Sequence, residues 1–265
     1  MTLKIIVLIK QVPDIEKVRF DVETGRIDRS SAPAEINPFD LNALEAAVQI
    51  KEKVGGYIIA LSMGPPQAVS SLKDAMARGA DEAILLEDKM FAGADTWATS
   101  YTLAGAIKKI GQYDIILCGE KTVDGDTGQV GAEVAEQLNI PHIYYVSKIV
   151  DVSDKNIVVV SEMSDAAYTI EASYPVLVSV TKDVNKPRLP TLKDKLRAMK
   201  SDVRVWHAKD LEGIIDLNCV GYFGSPTNVH KVVIPQERFR EGKIFRGVDE
   251  GVENILNVLV EKRLV

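Results

Sequence analysis

Cysteine and histidine are scarce in this chain: two and three among 265 residues. Cys118 and Cys219 lie far apart, which gives neither a disulfide framework nor a zinc-ligand spacing and fits a reducing compartment. His142, His207 and His230 stand in no ligand or catalytic spacing, and no nucleophile–base constellation accompanies them. Any difficult chemistry would therefore belong to a bound group rather than to side chains. Basic residues are not in excess. Thirty-two Lys and Arg against 38 Asp and Glu give a net charge of −6, without the basic footprint of a nucleic-acid binder. No apolar run approaches the ~18 residues of a membrane-spanning helix. Met1-Thr2-Leu3-Lys4 leads straight into a strand-like run, without the apolar stretch of a secretory leader, so the expected location is the cytoplasm. The length suits one large domain or two small ones, with a core large enough to need no staple.

What is present is alternation. Lys4–Ile9 is a continuous apolar run of strand length, the pattern of a strand buried on both faces of a parallel sheet. Similar runs recur at 57–62, 83–86, 115–118 and 175–180. Between them Leu41, Leu44 and Val48, then Leu103, Ile107 and Ile110, then Val130, Val134 and Leu138 repeat at helical spacing. This predicts a doubly wound, mostly parallel α/β domain. Two short β-like runs, 157–160 and 168–171, predict an antiparallel hairpin. The alternation stops after Val180. We expect a nucleotide-binding domain over 1–182 and an arm over 183–265 that packs on a partner. The arm has turns at Gly221, Gly224, Pro226 and Pro235 and a final helix near 247–262.

Ligands of open α/β sheets bind beyond the carboxyl ends of the strands, so the segments following each strand are the candidates. Asn37-Pro38-Phe39-Asp40 reads as a helix start, with Asn37 as cap, Pro38 at the first position and Asp40 reaching back. The same end can present N–H groups to a ligand. Met63-Gly64-Pro65-Pro66 lets backbone approach a ligand. Ala94-Asp95-Thr96-Trp97-Ala98-Thr99 opens a helix with hydroxyls in its first turn, while Trp97 has a packing role as an alternative. The richest segment is Gly119–Gly131, with four glycines in thirteen residues between a strand and a helix. It is neither a Walker A loop nor G-x-G-x-x-G, and Gly128 and Ala135 spoil a calcium-loop reading. Asp126 with Gln129 has capping-box spacing. Asp124 and Asp126 would repel a phosphate, so we expect them to serve backbone or sugar hydroxyls. The loop is read as a nucleotide loop.

These motifs, with Lys10-Gln11-Val12-Pro13-Asp14 and Asn185-Lys186-Pro187-Arg188, resemble the beta subunits of electron transfer flavoproteins, in the same order along nearly the whole chain. The resemblance implies a heterodimer with an alpha subunit, reached by the C-terminal arm. It also implies an adenine nucleotide surrounded by Leu8, by Asn37, Pro38, Phe39 and Asp40, by Met63 and Gly64, and by the long loop. In the loop the implied residues are Glu120, Lys121, Thr122, Val123, Asp124 and Gly125, followed by Asp126, Thr127, Gly128, Gln129, Val130 and Gly131. One branch of that family holds AMP as a structural filler. The other holds FAD and bifurcates electrons. Residues 91–100, Val123-Asp124-Gly125-Asp126-Thr127 and Gly224-Ser225-Pro226-Thr227 resemble the second branch. By that resemblance Asp95, Thr96 and Thr99 lie by the flavin's diphosphate or ribityl chain. Ala132 departs from the proline of many relatives.

The branch implies NADH as hydride donor, with ferredoxin or flavodoxin as one electron acceptor. The other route runs through FAD of the alpha subunit to an acyl-CoA dehydrogenase-like or related partner. Pro187–Lys193 resembles the loop that docks this dehydrogenase, with Leu192 as its apolar anchor, although a solvated basic linker has the same composition. A carrier subunit holding AMP and a stress-protein-like nucleotide-binding module are the alternatives.

Overall fold

The computed structural model describes residues 2–14, 19–21, 26–28, 33–228, 230 and 242–265. Its first compact unit is Met1–Asn228 and its second is Val229–Val265. The expected turn at Pro235 lies outside the described residues.

The apolar run at the N-terminus becomes β1 (Leu3–Leu8), and its side chains alternate between two cores. Ile5 and Val7 join the cluster containing Leu44, Leu72 and Ala75. Ile6 and Leu8 join the opposite cluster, with Leu103, Ile107 and Val134. Burial on both faces is why the run is continuously apolar. β2 (Gln11–Pro13) and β5 (Ala34–Ile36) form a small antiparallel pair, as do β3 (Arg19–Asp21) and β4 (Arg26–Asp28). Then follow α1 (Pro38–Val54), β6 (Gly56–Met63), α2 (Val69–Arg78), β7 (Glu82–Leu86), α3 (Thr96–Ile110), β8 (Ile115–Gly119) and α4 (Val130–Leu138). Next come β9 (His142–Val152), β10 (Asn156–Glu162), β11 (Ala167–Ser173), β12 (Val176–Val180), α5 (Leu192–Lys200), β13 (Arg204–Trp206) and α6 (Gly221–Gly224).

One nine-stranded sheet has the order β11-β10-β9-β12-β8-β1-β6-β7-β13. All neighbours are parallel except β9–β10 and β10–β11. The predicted hairpin is therefore β10–β11, extending the main sheet through β9. The chain winds outward from β1 to β6 and β7, then α3 carries it back across to β8 on the other side of β1. The strand order reverses between β1 and β8, where an open sheet leaves a crevice at its carboxyl edge.

The segment expected to begin the arm contributes to this first unit. Asn185 and Asn42 exchange amide-to-carbonyl hydrogen bonds (2.9 and 3.0 Å). The Arg188 guanidinium spans Glu45 and Glu52 of α1 (2.8 and 2.6 Å). α5 packs beside α2, and β13 pairs with β7 as the edge strand. Too short and polar for a core of their own, these elements are stable because the sheet and α1 supply the partner surface. In the second unit α7 (Val248–Glu261) is the expected final helix. Among the described residues no helix is long and apolar enough to cross a membrane.

Candidate functional site

The crevice between β1 and β8 opens into a cavity of about 560 Å³, within the range of small-molecule sites. One wall is apolar: Leu8 at the end of β1 and Ile9 just after it, Leu61 and Met63 from β6, and Leu103 from α3. The Gly/Asp loop forms a second wall through Glu120, Lys121, Thr122, Gly125, Thr127 and Gly128. Gln129, Val130 and Gly131 line it where α4 begins, and Asp95, Thr96 and Thr99 line it where α3 begins. Residues separated by more than a hundred positions thus meet at one cavity.

Asn37 sits behind the wall and Asp40 lies within the lining, and both hold it together. Asn37 precedes α1 but makes no side-chain cap on it. Its amide donates to the Lys121 carbonyl (2.9 Å) and accepts the Val123 N–H (3.2 Å), stapling the loop to α1. This corrects the capping expectation for Asn37, and the same holds for Asp40. The Asp40 carboxylate accepts the N–H of Lys10 (2.8 Å) and of Gly119 (3.1 Å), tying together the two strand ends that diverge at the switch point. Pro38, Phe39 and Gly64 are outside the cavity lining, as is Val123.

The capping box expected from Asp126 and Gln129 is not formed. Gln129 precedes α4 with no side-chain cap bond. The chain closes a turn at Asp126 (N–H to the Thr122 carbonyl, 2.8 Å) with φ 53° and turns left-handed again at Gly128, φ 63°. Two such turns separate Asp126 from a helix start. The loop carboxylates take cation partners, Asp124 with Lys10 and Asp126 with Lys121, both at 2.8 Å, and Asp124 also accepts from the Thr122 hydroxyl and its own backbone N–H. Neither of these two carboxylates lines the cavity; the acids that do are Asp40, Asp95 and Glu120.

Among the lining residues, Cys118 and Tyr144 were not site candidates in the sequence, and Thr227 appeared there only within the Gly224-Ser225-Pro226-Thr227 resemblance. Tyr144 looks like an ordinary strand aromatic. Its hydroxyl accepts the N–H of Ala132 in the first turn of α4 (3.0 Å), a bond that a proline at this position could not donate. A Cβ on Gly131 would lie 2.6 Å from that hydroxyl and 2.7 Å from the Cys118 sulfur, so only glycine lets the helix start approach this closely. Burial pushes the Cys118 thiol up to about 12, leaving it a packing group. Thr227 is held by Asp95, whose carboxylate caps α3 at the Ala98 N–H (3.0 Å) and accepts the N–H and hydroxyl of Thr227 (2.9 and 2.7 Å).

The donor set fits a nucleotide. An apolar slot suits a flat ring, five threonine hydroxyls (Thr96, Thr99, Thr122, Thr127 and Thr227) suit ribose or ribityl oxygens, and helix starts suit phosphates. Among the described residues no group of three or more His, Cys, Asp or Glu is placed to hold a metal ion.

Burial pushes the Asp40 carboxyl up to about 7, against the N–H bonds from Lys10 and Gly119 that favour its charged form. A carboxyl raised in the fold stabilises it fully below the unfolded pKa near 4. That stabilisation is lost as pH rises through about 7. We predict that Asp40→Asn flattens the dependence of the urea midpoint on pH between 4 and 7, by a few kcal/mol across the window. A pH-independent loss of about 1–3 kcal/mol accompanies it, because one N–H loses its acceptor. Parallel slopes for the two proteins would refute the assignment.

Fold and site together define a doubly wound α/β protein whose candidate cleft, at a topological switch point, fits a nucleotide. Comparison with known proteins narrows this. The family model described as the electron transfer flavoprotein domain matches residues 24–211. The chain is 46% identical over 265 residues to an electron transfer flavoprotein subunit beta of Thermoanaerobacterium thermosaccharolyticum, covering 99% of this chain and all of that one. It is 40% identical over 266 residues to the caffeyl-CoA reductase-Etf complex subunit CarD of Acetobacterium woodii (99% and 100%). It is 42% identical over 240 residues to protein FixA of Azorhizobium caulinodans (88% and 85%). The chain belongs to the beta subunits of the electron transfer flavoproteins, and the stress-protein alternative is set aside.

Proposed function

We propose that this chain holds FAD in the β1/β8 cleft and works with an alpha subunit as the NADH-oxidising half of an electron-bifurcating flavoprotein. When bound, FAD supplies the redox chemistry: it takes a hydride from NADH and releases one electron to ferredoxin or flavodoxin and one through the alpha-subunit FAD to an acyl-CoA dehydrogenase-like partner. The observation that carries this reading is the continuity of the cavity. It runs from Leu8, Met63 and the loop, enough for an adenine nucleotide, on to Thr96, Thr99 and Thr227 at the start of α3. The second half is the room and hydroxyl chemistry a dinucleotide needs and AMP does not.

The residues of the chain position and enclose the group. The apolar wall excludes water from a ring, the threonines orient the polar chain, and the Lys10–Asp124 and Lys121–Asp126 pairs keep those two carboxylates turned from the phosphates. The arm reading rests on α7, whose Val248, Val252, Ile255 and Leu256 are exposed along one helical stripe. This is an unpartnered apolar face of the kind an alpha subunit would cover.

The test is cofactor content of the chain co-purified with its alpha subunit, by denaturing extraction and quantitation. Two FAD and no AMP per heterodimer are expected. One FAD and one AMP would make this a carrier subunit and overturn the assignment of Thr96 and Thr99 to a flavin.

A further inference from the structure

One half-buried acid beside the cleft has no role so far. Glu133, in the first turn of α4, lies behind Thr96, the first residue of α3. The Thr96 hydroxyl has a single proton and two acceptors on the α4 side, Glu133 Oε1 at 3.1 Å and Gln129 Oε1 at 3.5 Å. The other carboxylate oxygen of Glu133 is buried with no hydrogen-bond partner. Its neighbour Ser100 spends its own proton on the Trp97 carbonyl (2.8 Å). Among the described residues no cation pairs with Glu133. The charged group facing it from α3 is Asp95, β12 holds no titratable residue, and β9 brings only the Tyr144 hydroxyl, engaged on Ala132.

With Glu133 ionised, the Thr96 proton points at the carboxylate, and the cavity meets oxygen lone pairs. With Glu133 neutral, the acid donates to Thr96, whose proton is free to turn into the cavity. We propose that Glu133 is the positioning residue that sets the direction of the Thr96 hydroxyl, and that the diphosphate of a dinucleotide seated at Thr96 draws a proton from solvent onto Glu133. This rests on the FAD reading above. Burial, and to a lesser degree the Asp95 charge, hold the Glu133 carboxyl above its ordinary value against the Thr96 bond and the nearby Ser100 hydroxyl.

The experiment is titration calorimetry of the cofactor-stripped heterodimer with FAD and with AMP, between pH 6 and 9, in buffers of different ionisation enthalpy. For wild type, FAD binding should take up close to one proton once Glu133 is ionised. Affinity should then fall about tenfold per pH unit. AMP, which does not reach Thr96, should show neither. Glu133→Gln, whose amide donates permanently to Thr96, should bind FAD with a flat pH profile and no proton uptake. Thr96→Val should weaken FAD binding and also abolish the uptake. If Thr96→Val weakens FAD binding while either variant retains full proton uptake, the role of Glu133 is refuted and the FAD reading stands. If Thr96→Val leaves FAD binding unchanged, the ligand does not reach Thr96 and the FAD reading of that end fails first.

Discussion

Gly128→Val, purified with the alpha subunit, is expected to bind FAD about a hundredfold more weakly while its melting temperature stays within a few degrees of wild type. Gly128 has φ 63°, and a Cβ there would stand 3.3 Å from the Glu120 carbonyl oxygen. A β-branched residue is a poor occupant of that region, at a cost of ~1–2 kcal/mol. The loop relieves this by shifting, which forfeits one or two backbone contacts to the ligand at ~1 kcal/mol each. Together these make ~3 kcal/mol, or two decades of affinity. The fold tolerates the change because the loop is anchored at both ends independently. Asn37 holds residues 121–123, and α4 is packed through Val134 and Ala135. Full flavin occupancy in this variant would show that the loop is not the nucleotide loop.

Leu192→Ala is expected to cut electron transfer to the partner dehydrogenase by about 30-fold, the ~2 kcal/mol of an interface hot spot. NADH oxidation by an artificial acceptor should be unchanged. Leu192 is 74% exposed at the first position of α5, with Leu189 85% exposed just before it. Such exposure is useful only on a rigid mount, and the mount is visible. Thr191 caps α5 at the Asp194 N–H (3.1 Å), and Arg188 is clamped to α1 by Glu45 and Glu52. The loop therefore presents its leucines with little ordering left to do on binding. Steady-state assays with dye and with the dehydrogenase separate the two activities. Equal losses in both would place Leu192 in folding or cofactor retention instead of docking.

Much of the cleft was legible because its residues follow strands: the β1 end, the Met63 turn and the Gly/Asp loop are each recognisable from local context. Their roles were less so. Asn37 and Asp40 read as a helix cap and serve as cross-links to residues 121 and 119, because a buried polar group takes whichever partner the fold supplies. Tyr144 carried no local signal and Thr227 only the resemblance of its segment, since the return of β9 beside β12 and the Asp95 bonds to Thr227 are what bring them to the cavity.

The alternation of fully apolar strands with amphipathic helices by itself determined that this chain forms a doubly wound sheet. Periodicity is written in local spacing, and burial on both faces follows from it. Which strand ends diverge, which carboxylates turn toward lysines and which hydroxyl faces the cleft were decided only by tertiary structure. Those choices depend on contacts between residues a hundred positions apart, whose geometry no local pattern encodes.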